Sequence, residues 1–389
     1  MNTHKIVYAF VAFDDIELLE RKIKFLYTAE DYFIVHWNKY SSAKKLRRLQ
    51  EAFKDCSNVY IYSKYKVIWG MNSILLAMLE NMRLALRLAA VGGGRFDHFI
   101  ALSQQCAPVK TKEYIKAHLA KYKGKSFCGS EHVIPEVTFA GTPCEEAAFA
   151  ITRYSFVIPY RGRLSLPGRL IAYQYAVCDF FRYLIPILKN SKQTLRKMAK
   201  AESFQAVKES TGMKKIIAVI KYIVLFPLRF MFVSLDKTNC ICMYGKPSKL
   251  FYACTTGTFQ RAKSCGPTGC FCYDDVQYLA SPKIVKLAKS MKRYFGPEEY
   301  FPQTVLYNSD EHRKNFLEES LCATDFYMRD FEVLRYLSEE TFTDVTAPAC
   351  VPRDYKFPHI CFVRKVTNPQ VFDELQARLL KASQAGDAV

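Results

Sequence analysis

Two carboxylates stand side by side in GPEEYFPQTVLYNS, the stretch from Gly296 to Ser309. Glu298 and Glu299 follow a Gly-Pro turn and precede an aromatic-rich helical pattern. Two readings are open on these residues alone. Acids in the first turn of a helix offset the positive end of its dipole, and Pro before them is an ordinary start signal. Alternatively, one of the pair is a general base, placed to take a proton from a reacting hydroxyl. A second chemistry-bearing group is made of thiols: Cys240, Cys242, Cys254, Cys265, Cys270 and Cys272 crowd one stretch. Its two Cys-x-Cys pairs could bind zinc, although structural zinc sites more often use Cys-x2-Cys. The plain alternative is free thiols in a sheet-and-loop region. FDD (13–15) and YDD (273–275) are adjacent Asp pairs without a metal-binding Asp-x-Asp spacing, and surface or turn chemistry explains either.

The elements that must position such residues are clearest in the first third. Four short runs rich in Val, Ile, Tyr and Phe read as buried strands: KIVYAFVAF (5–13), YFIVHW (32–37), NVYIYS (58–63) and HFIALS (98–103). Between them lie helical patterns at 15–27, 42–54 and 72–90. The first places Ile16, Leu19, Ile23 and Leu26 on one face; the second aligns Leu46, Leu49 and Phe53; the third is apolar enough to be buried. Alternating strand and helix predicts an α/β fold with a mostly parallel sheet covered on both faces. Ligands of such sheets sit beyond the carboxyl ends of the strands. That directs attention to Asn38, to residues 64–70 and to the residues after Ser103. Trp69-Gly70 at a strand end is either a stacking platform or a core plug.

The chain has 389 residues, half of them apolar, enough to bury a sizeable core. A net charge of +19 favours anionic partners: phosphorylated substrates, nucleic acid or acidic lipid. The N-terminal apolar run meets Asp14 and Asp15 and reads as a first strand, not a signal peptide, which predicts a cytosolic start. The 14 Cys are then expected to be mostly reduced.

Five segments, in order, resemble the core-2/I-branching β-1,6-N-acetylglucosaminyltransferase family, which is related to peptide O-xylosyltransferases. They are KIVYAFVAFDDIELLERKIKFLYTAEDYFIVHWNKYSS, NVYIYSKYKVIWGMNSILLAMLENMRLAL, FDHFIALSQQCAPVKTKEYI, GPEEYFPQTVLYNS and FPHICFVRKVTNPQVFDEL. The resemblance implies a GT-A-type fold, a nucleotide-sugar donor, and inverting transfer without a metal-binding Asp-x-Asp motif. It makes Glu299 the general base, with Glu298 beside it as support on the acceptor side, and the helix dipole is expected to help keep Glu299 ionised. A leaving diphosphate needs fixed cations. The resemblance aligns Lys365 with the family's Lys; Arg364 is adjacent, but would point the other way if the segment is a strand. Arg353 and Lys356 are further basic candidates. On the donor side, Val11 and Ala12 are expected to offer backbone to the base, Asn38 replaces the family's Asp, and Trp69 stands where the family has an aromatic. On the acceptor side, Glu131 and Arg153 are the candidates. Gln105 and Cys106 occupy positions before Ala-Pro where the family commonly has Gln-Asp or Met-Asp.

Residues 160–237 do not resemble the family core. From 152 to 237 there are 16 Lys and Arg against 4 Asp and Glu, about twelve of the net +19. The segment 216–235 has a spanning length but is interrupted by Lys221, Pro227 and Arg229. The reading preferred is a helical hairpin in the membrane interface, its Lys and Arg on anionic lipid; the alternative is a buried helical subdomain with a basic rim. The expected organisation is a nucleotide-sugar-binding half (1–159), this insertion (160–237) and an acceptor-binding, catalytic half (238–389). Together these point to a bacterial-type surface-polysaccharide enzyme at the cytoplasmic face of a membrane, peripheral or monotopic, using a UDP-sugar and a glycan or glycolipid acceptor. An inactive scaffold of the same fold is the main rival. Nucleic-acid binding is disfavoured, because the basic residues sit among apolar runs and no nucleic-acid motif appears.

Overall fold

The computed structural model describes residues 4–68, 71–92, 94–128, 132–133, 153–155, 158–159, 211–212, 232–235, 240–247, 263–264, 268–291, 296–324, 330–331 and 360–384. The chain divides into two compact units, one of Met1–Ala140, Ala253–Lys292 and Gly296–Val389, the other of Gly141–Tyr252 with Arg293–Phe295.

The first unit opens with β1 (Ile6–Ala12), α1 (Ile16–Leu26), β2 (Tyr32–Trp37), α2 (Ala43–Ala52), β3 (Val59–Tyr62), α3 (Ser73–Val91) and β4 (His98–Ser103). These match the expected strands and helices to within a residue or two. The local reasons are visible at the starts. Asp15 caps α1 by accepting the Leu18 N–H at 3.0 Å, and Ser42 caps α2 by accepting that of Lys45 at 3.3 Å. β5 (Cys106–Pro108), α4 (Lys112–Ala120), β6 (Ser126–Phe127) and β7 (His132–Val133) follow.

In the second unit, β8 (Arg153–Ser155), β9 (Ile158–Pro159) and β10 (Phe232–Leu235) each pair antiparallel with β11 (Cys240–Pro247). β10 corrects the expectation of helix up to residue 237: Phe232–Leu235 pairs antiparallel as a strand with Cys240–Met243. The rest of the expected hairpin, and the segment 216–231, lie outside the described residues. Among the described residues no helix is long and apolar enough to cross a membrane.

The first unit resumes with β12 (Lys263–Ser264), which pairs with β7, then β13 (Gly269–Cys272), α5 (Tyr273–Leu279), α6 (Pro282–Ser290), a 3₁₀ turn (Pro297–Glu299), α7 (Phe301–Tyr307), α8 (Asp310–Arg313), β14 (Phe316–Leu317), β15 (Cys322–Thr324), β16 (Phe362–Arg364) and α9 (Pro369–Gln384). A seven-stranded sheet runs β14-β6-β13-β4-β1-β2-β3, and only β13 pairs antiparallel with its neighbours. The smaller sheet β15-β16-β5 lies in the same unit. On one face of β1, Ile6, Tyr8 and Phe10 pack with Ile16, Leu19, Ile23, Leu49 and Phe53 from α1 and the α2 region. α3 packs on β1 and β2 as well, so the sheet is covered on both faces. Each fully buried Leu or Ile of this layer contributes about 1.5–3 kcal/mol.

A buried polar hub supports α7 and α8 from below. Asp275 is fully buried, which corrects the surface-or-turn reading of YDD. Its Oδ2 accepts the Ser126 hydroxyl; its Oδ1 bonds His312 Nδ1 at 2.6 Å and accepts Asn315 Nδ2 at 3.2 Å. Ser126 Oγ in turn accepts the Cys272 N–H, and Tyr278 stacks on His312 with centroids 4.2 Å apart. Ser126 and His312 bind opposite oxygens of the carboxylate, so this is not the wiring of a Ser–His–Asp relay, in which the His lies between the other two. Its effect is to tie β6 and β13 to α5 and α8.

Candidate active site

Gly296 starts the carboxylate turn with φ +53°, the left-handed region that a side chain resists. The Glu299 N–H returns to the Gly296 carbonyl at 3.0 Å, and the Glu299 carboxyl folds back until its Oε2 lies 3.6 Å from where a Cβ on Gly296 would stand. A methyl would therefore fit in space but not in dihedral angle. Gly296→Ala is expected to destabilise the chain by about 1–2 kcal/mol, read as a lower unfolding midpoint in urea. An unchanged midpoint would mean that the turn relaxes freely.

The two acids lie one turn before α7, not in its first turn, and burial rather than a dipole sets their chemistry. Glu298 is 5% exposed and its Oε2 is buried with no hydrogen-bond partner among the described residues. Desolvation, then the neighbouring Glu299 charge, push its carboxyl up to about 8 against the pull of Arg364. Glu299 is partly buried. Desolvation raises it too, while Arg364 and then Lys365 pull it down. The expectation that a helix dipole keeps Glu299 ionised is thus corrected: the stabilising charges are two side chains. The acids titrate as a pair. Both cations favour ionisation at Glu299, while burial and the Glu299 charge favour a proton on Glu298 up to about pH 8.

This arrangement has a stability signature. The Glu298 carboxyl rises from 4.5 to about 8 on folding, so between those values the folded chain keeps a proton that the unfolded chain has lost. Stability contributed by this proton is complete below pH 4.5 and is lost as pH rises through 8. Glu298→Gln is therefore expected to unfold at a higher temperature than wild type, by a margin that widens from pH 5 to pH 8 and corresponds to a few kcal/mol at most. A margin independent of pH would contradict the assignment.

Arg364 is the last residue of β16, opposite Cys106 of β5, and its Nε is buried without a partner. The strand ends there, so strand alternation does not extend to Lys365, and both cations act on the Glu299 carboxyl. The condition on which Arg364 was expected to point away from Lys365, a strand running through both, is not met. Cys106 stands where the family has Asp. Burial alone would push its thiol up, but Cys322, Arg364 and Ser103 outweigh it and draw it down to about 6. Ser103 Oγ lies 3.3 Å from its sulfur.

The strand-end loops are locked by side chains. Gln104 Oε1 accepts the N–H groups of Phe13 at 2.6 Å and Asp14 at 3.1 Å. Val11 contributes its carbonyl to the Gln104 N–H at 3.3 Å, and Ala12 its carbonyl to the Asn38 N–H at 2.7 Å. Each of these carbonyls accepts a bond within the chain. Asn38 is buried. Its Oδ1 accepts the N–H of Val67 at 2.9 Å and of Tyr40 at 3.0 Å, and its Nδ2 donates to the Val67 carbonyl at 2.8 Å. It braces the loop after β3. An amide both donates and accepts there, as an ionised carboxylate cannot. His36 Nε2 accepts from Tyr65 N at 2.9 Å on the same loop, and burial pushes this imidazole down to about 4, so it stays neutral.

The structure thus brings together Glu298, Glu299, Arg364 and Lys365, and separately frames the ends of β1–β3. Trp69, Glu131, Arg353 and Lys356 lie outside the described residues, as do Cys254 and Cys265. Arg153 is in β8 of the second unit, and its backbone pairs with Pro247. Cys270 and Cys272 are buried in β13; burial keeps both thiols protonated, with Cys272 pushed up to about 11. Among the described residues no three His, Cys, Asp or Glu gather as a metal site. Sequence reasoning missed Gln104, His36, Lys22 and Asp330. The first two adjoin residues it singled out, and only hydrogen-bond geometry reveals their role.

A mixed α/β unit with a mostly parallel seven-stranded sheet and a carboxylate pair facing two cations has the form of a GT-A-like fold. Residues 6–140 match the family model described as Core-2/I-Branching enzyme. Over its N-terminal third the chain is thus similar to that family. Over 116 residues the chain is 33% identical to xylosyltransferase 2 of Pan troglodytes, and 31% identical to that of Mus musculus; over 113 residues it is 28% identical to xylosyltransferase 1 of Pan troglodytes. These matches cover 29–30% of this chain and only 12–13% of the relatives, so the chain spans about an eighth of their length.

Proposed function

We propose that the chain is an inverting glycosyltransferase that moves a sugar from a UDP-sugar to a hydroxyl of a glycan or glycolipid. The observation that carries this reading is the buried carboxylate pair Glu298–Glu299 with the charges of Arg364 and Lys365 acting on it. The acceptor oxygen attacks the anomeric carbon as Glu299 takes its proton, and the bond from that carbon to the diphosphate oxygen breaks. The electron pair leaves with UDP, whose charge Arg364 and Lys365 balance. Glu298 stays protonated below about pH 8, so the pair adds one negative charge, not two, beside the departing diphosphate.

N-acetylglucosamine is the donor sugar that the family resemblance favours, and the names of the xylosyltransferase relatives make xylose the other candidate. The basic, apolar stretch 160–237 is the proposed platform on a membrane surface, on the cytoplasmic side. The rival reading, an inactive scaffold, draws on Asn38, whose amide is spent on Val67 and not turned outward. Calorimetric titration with UDP tests the reading. Binding that weakens with Arg364→Met supports it. Absence of binding, with the chain folded, removes it.

A further inference from the structure

The residues after β16 are held by bonds that converge from outside the strand. Val366 N–H donates to the Gln105 carbonyl at 2.8 Å. The ammonium of Lys22, a fully buried residue of α1, donates to the carbonyls of Val366 at 2.9 Å and Gln104 at 2.8 Å. Asp330 holds the other side. Its N–H donates to the Lys365 carbonyl at 3.0 Å. Its Oδ1 accepts the N–H of Thr367 at 2.6 Å and of Asn368 at 2.7 Å, and its Oδ2 accepts the Thr367 hydroxyl at 2.8 Å. Asp330 adopts φ +49°, the left-handed region that most side chains resist and that Asp and Asn tolerate best. These bonds of Asp330 all reach residues 365–368, far along the chain, and none of them serves its own neighbours.

We infer that Asp330 is a positioning residue: it fixes the strap of residues 365–368 so that Lys365 stands ready for the diphosphate. The inference rests on the function proposed above for its second half and on geometry alone for its first. An unanchored Lys365 would still carry its charge, but its ordering would then be a cost of each binding event, and small misplacement of such groups is expensive. A purely structural cap of α9 would affect stability without changing how the site receives UDP.

The test uses the full chain and two variants. Asp330→Ala removes three acceptor bonds and the tolerance of the left-handed backbone. Asp330→Asn keeps the backbone preference and one acceptor oxygen for the two N–H groups. Three quantities are read: amide hydrogen exchange across 365–368, the UDP dissociation constant, and the unfolding midpoint. Asp330→Ala is expected to speed exchange at these amides and weaken UDP about tenfold, while Asp330→Asn stays within about threefold of wild type. Unchanged exchange in Asp330→Ala overturns the anchor. Faster exchange with unaltered UDP affinity overturns the link to Lys365, as does a loss of affinity that merely follows the midpoint in both variants. Wild-type chain that binds no UDP overturns the proposed function, and the exchange comparison then decides the anchor by itself.

Discussion

Glu299→Gln is expected to lower turnover by about a thousandfold or more while the chain stays folded and still binds UDP. The amide matches the carboxyl in shape, so the left-handed Gly296 and the 3₁₀ turn persist. What it lacks is a basic oxygen. The effect should fall on the chemical step, because a proton must leave the acceptor hydroxyl as it attacks. Glu298 cannot substitute: burial and the neighbouring Glu299 charge keep a proton on it below about pH 8. Rates of UDP release at saturating donor and acceptor, set beside the UDP dissociation constant, check this. A variant that keeps a tenth of the wild-type rate would remove Glu299 from the chemistry.

The second large effect is expected at the cations. Arg364→Met should weaken UDP and slow transfer together by about a hundredfold, since a fixed cation that balances a leaving group acts mainly where charge develops. It should also shift the pH profile. Arg364 pulls both carboxyls down, so without it both ionise at higher pH and the acidic limb of the rate profile moves upward. Lys365 also pulls Glu299 down. Lys365→Met should therefore weaken UDP and move the acidic limb upward as well. Profiles that superimpose with wild type would mean that neither cation faces the carboxylates in the working enzyme.

Much of this was legible in the sequence, for physical reasons that differ by region. β1–β4 were readable because a parallel sheet buried on both faces demands unbroken apolar runs, and α1 because Ile16, Leu19, Ile23 and Leu26 must share one face. The acids at 298–299 and the cations at 364–365 were readable by resemblance. Their electrostatics were not, because desolvation depends on neighbours brought together from distant parts of the chain. The same holds for Asp275, whose burial comes from β6 and α8, and for Asn38, whose side chain turns inward to Val67. Asp330 gave no signal at all: an isolated acid takes its meaning only from a strap far along the chain. The alternation argument failed at Lys365 because it assumed a strand where the chain had already left one.

The central claim is that this chain transfers sugar from a UDP-sugar with Glu299 as the base. Its most direct test is UDP release from a panel of UDP-sugars, including those of N-acetylglucosamine and xylose, offered with glycan and glycolipid acceptors. The assay is run for wild type and Glu299→Gln, with and without EDTA. The account predicts acceptor-dependent release from at least one donor that persists in EDTA and collapses in the variant. Release that EDTA abolishes, or that Glu299→Gln leaves intact, would contradict it.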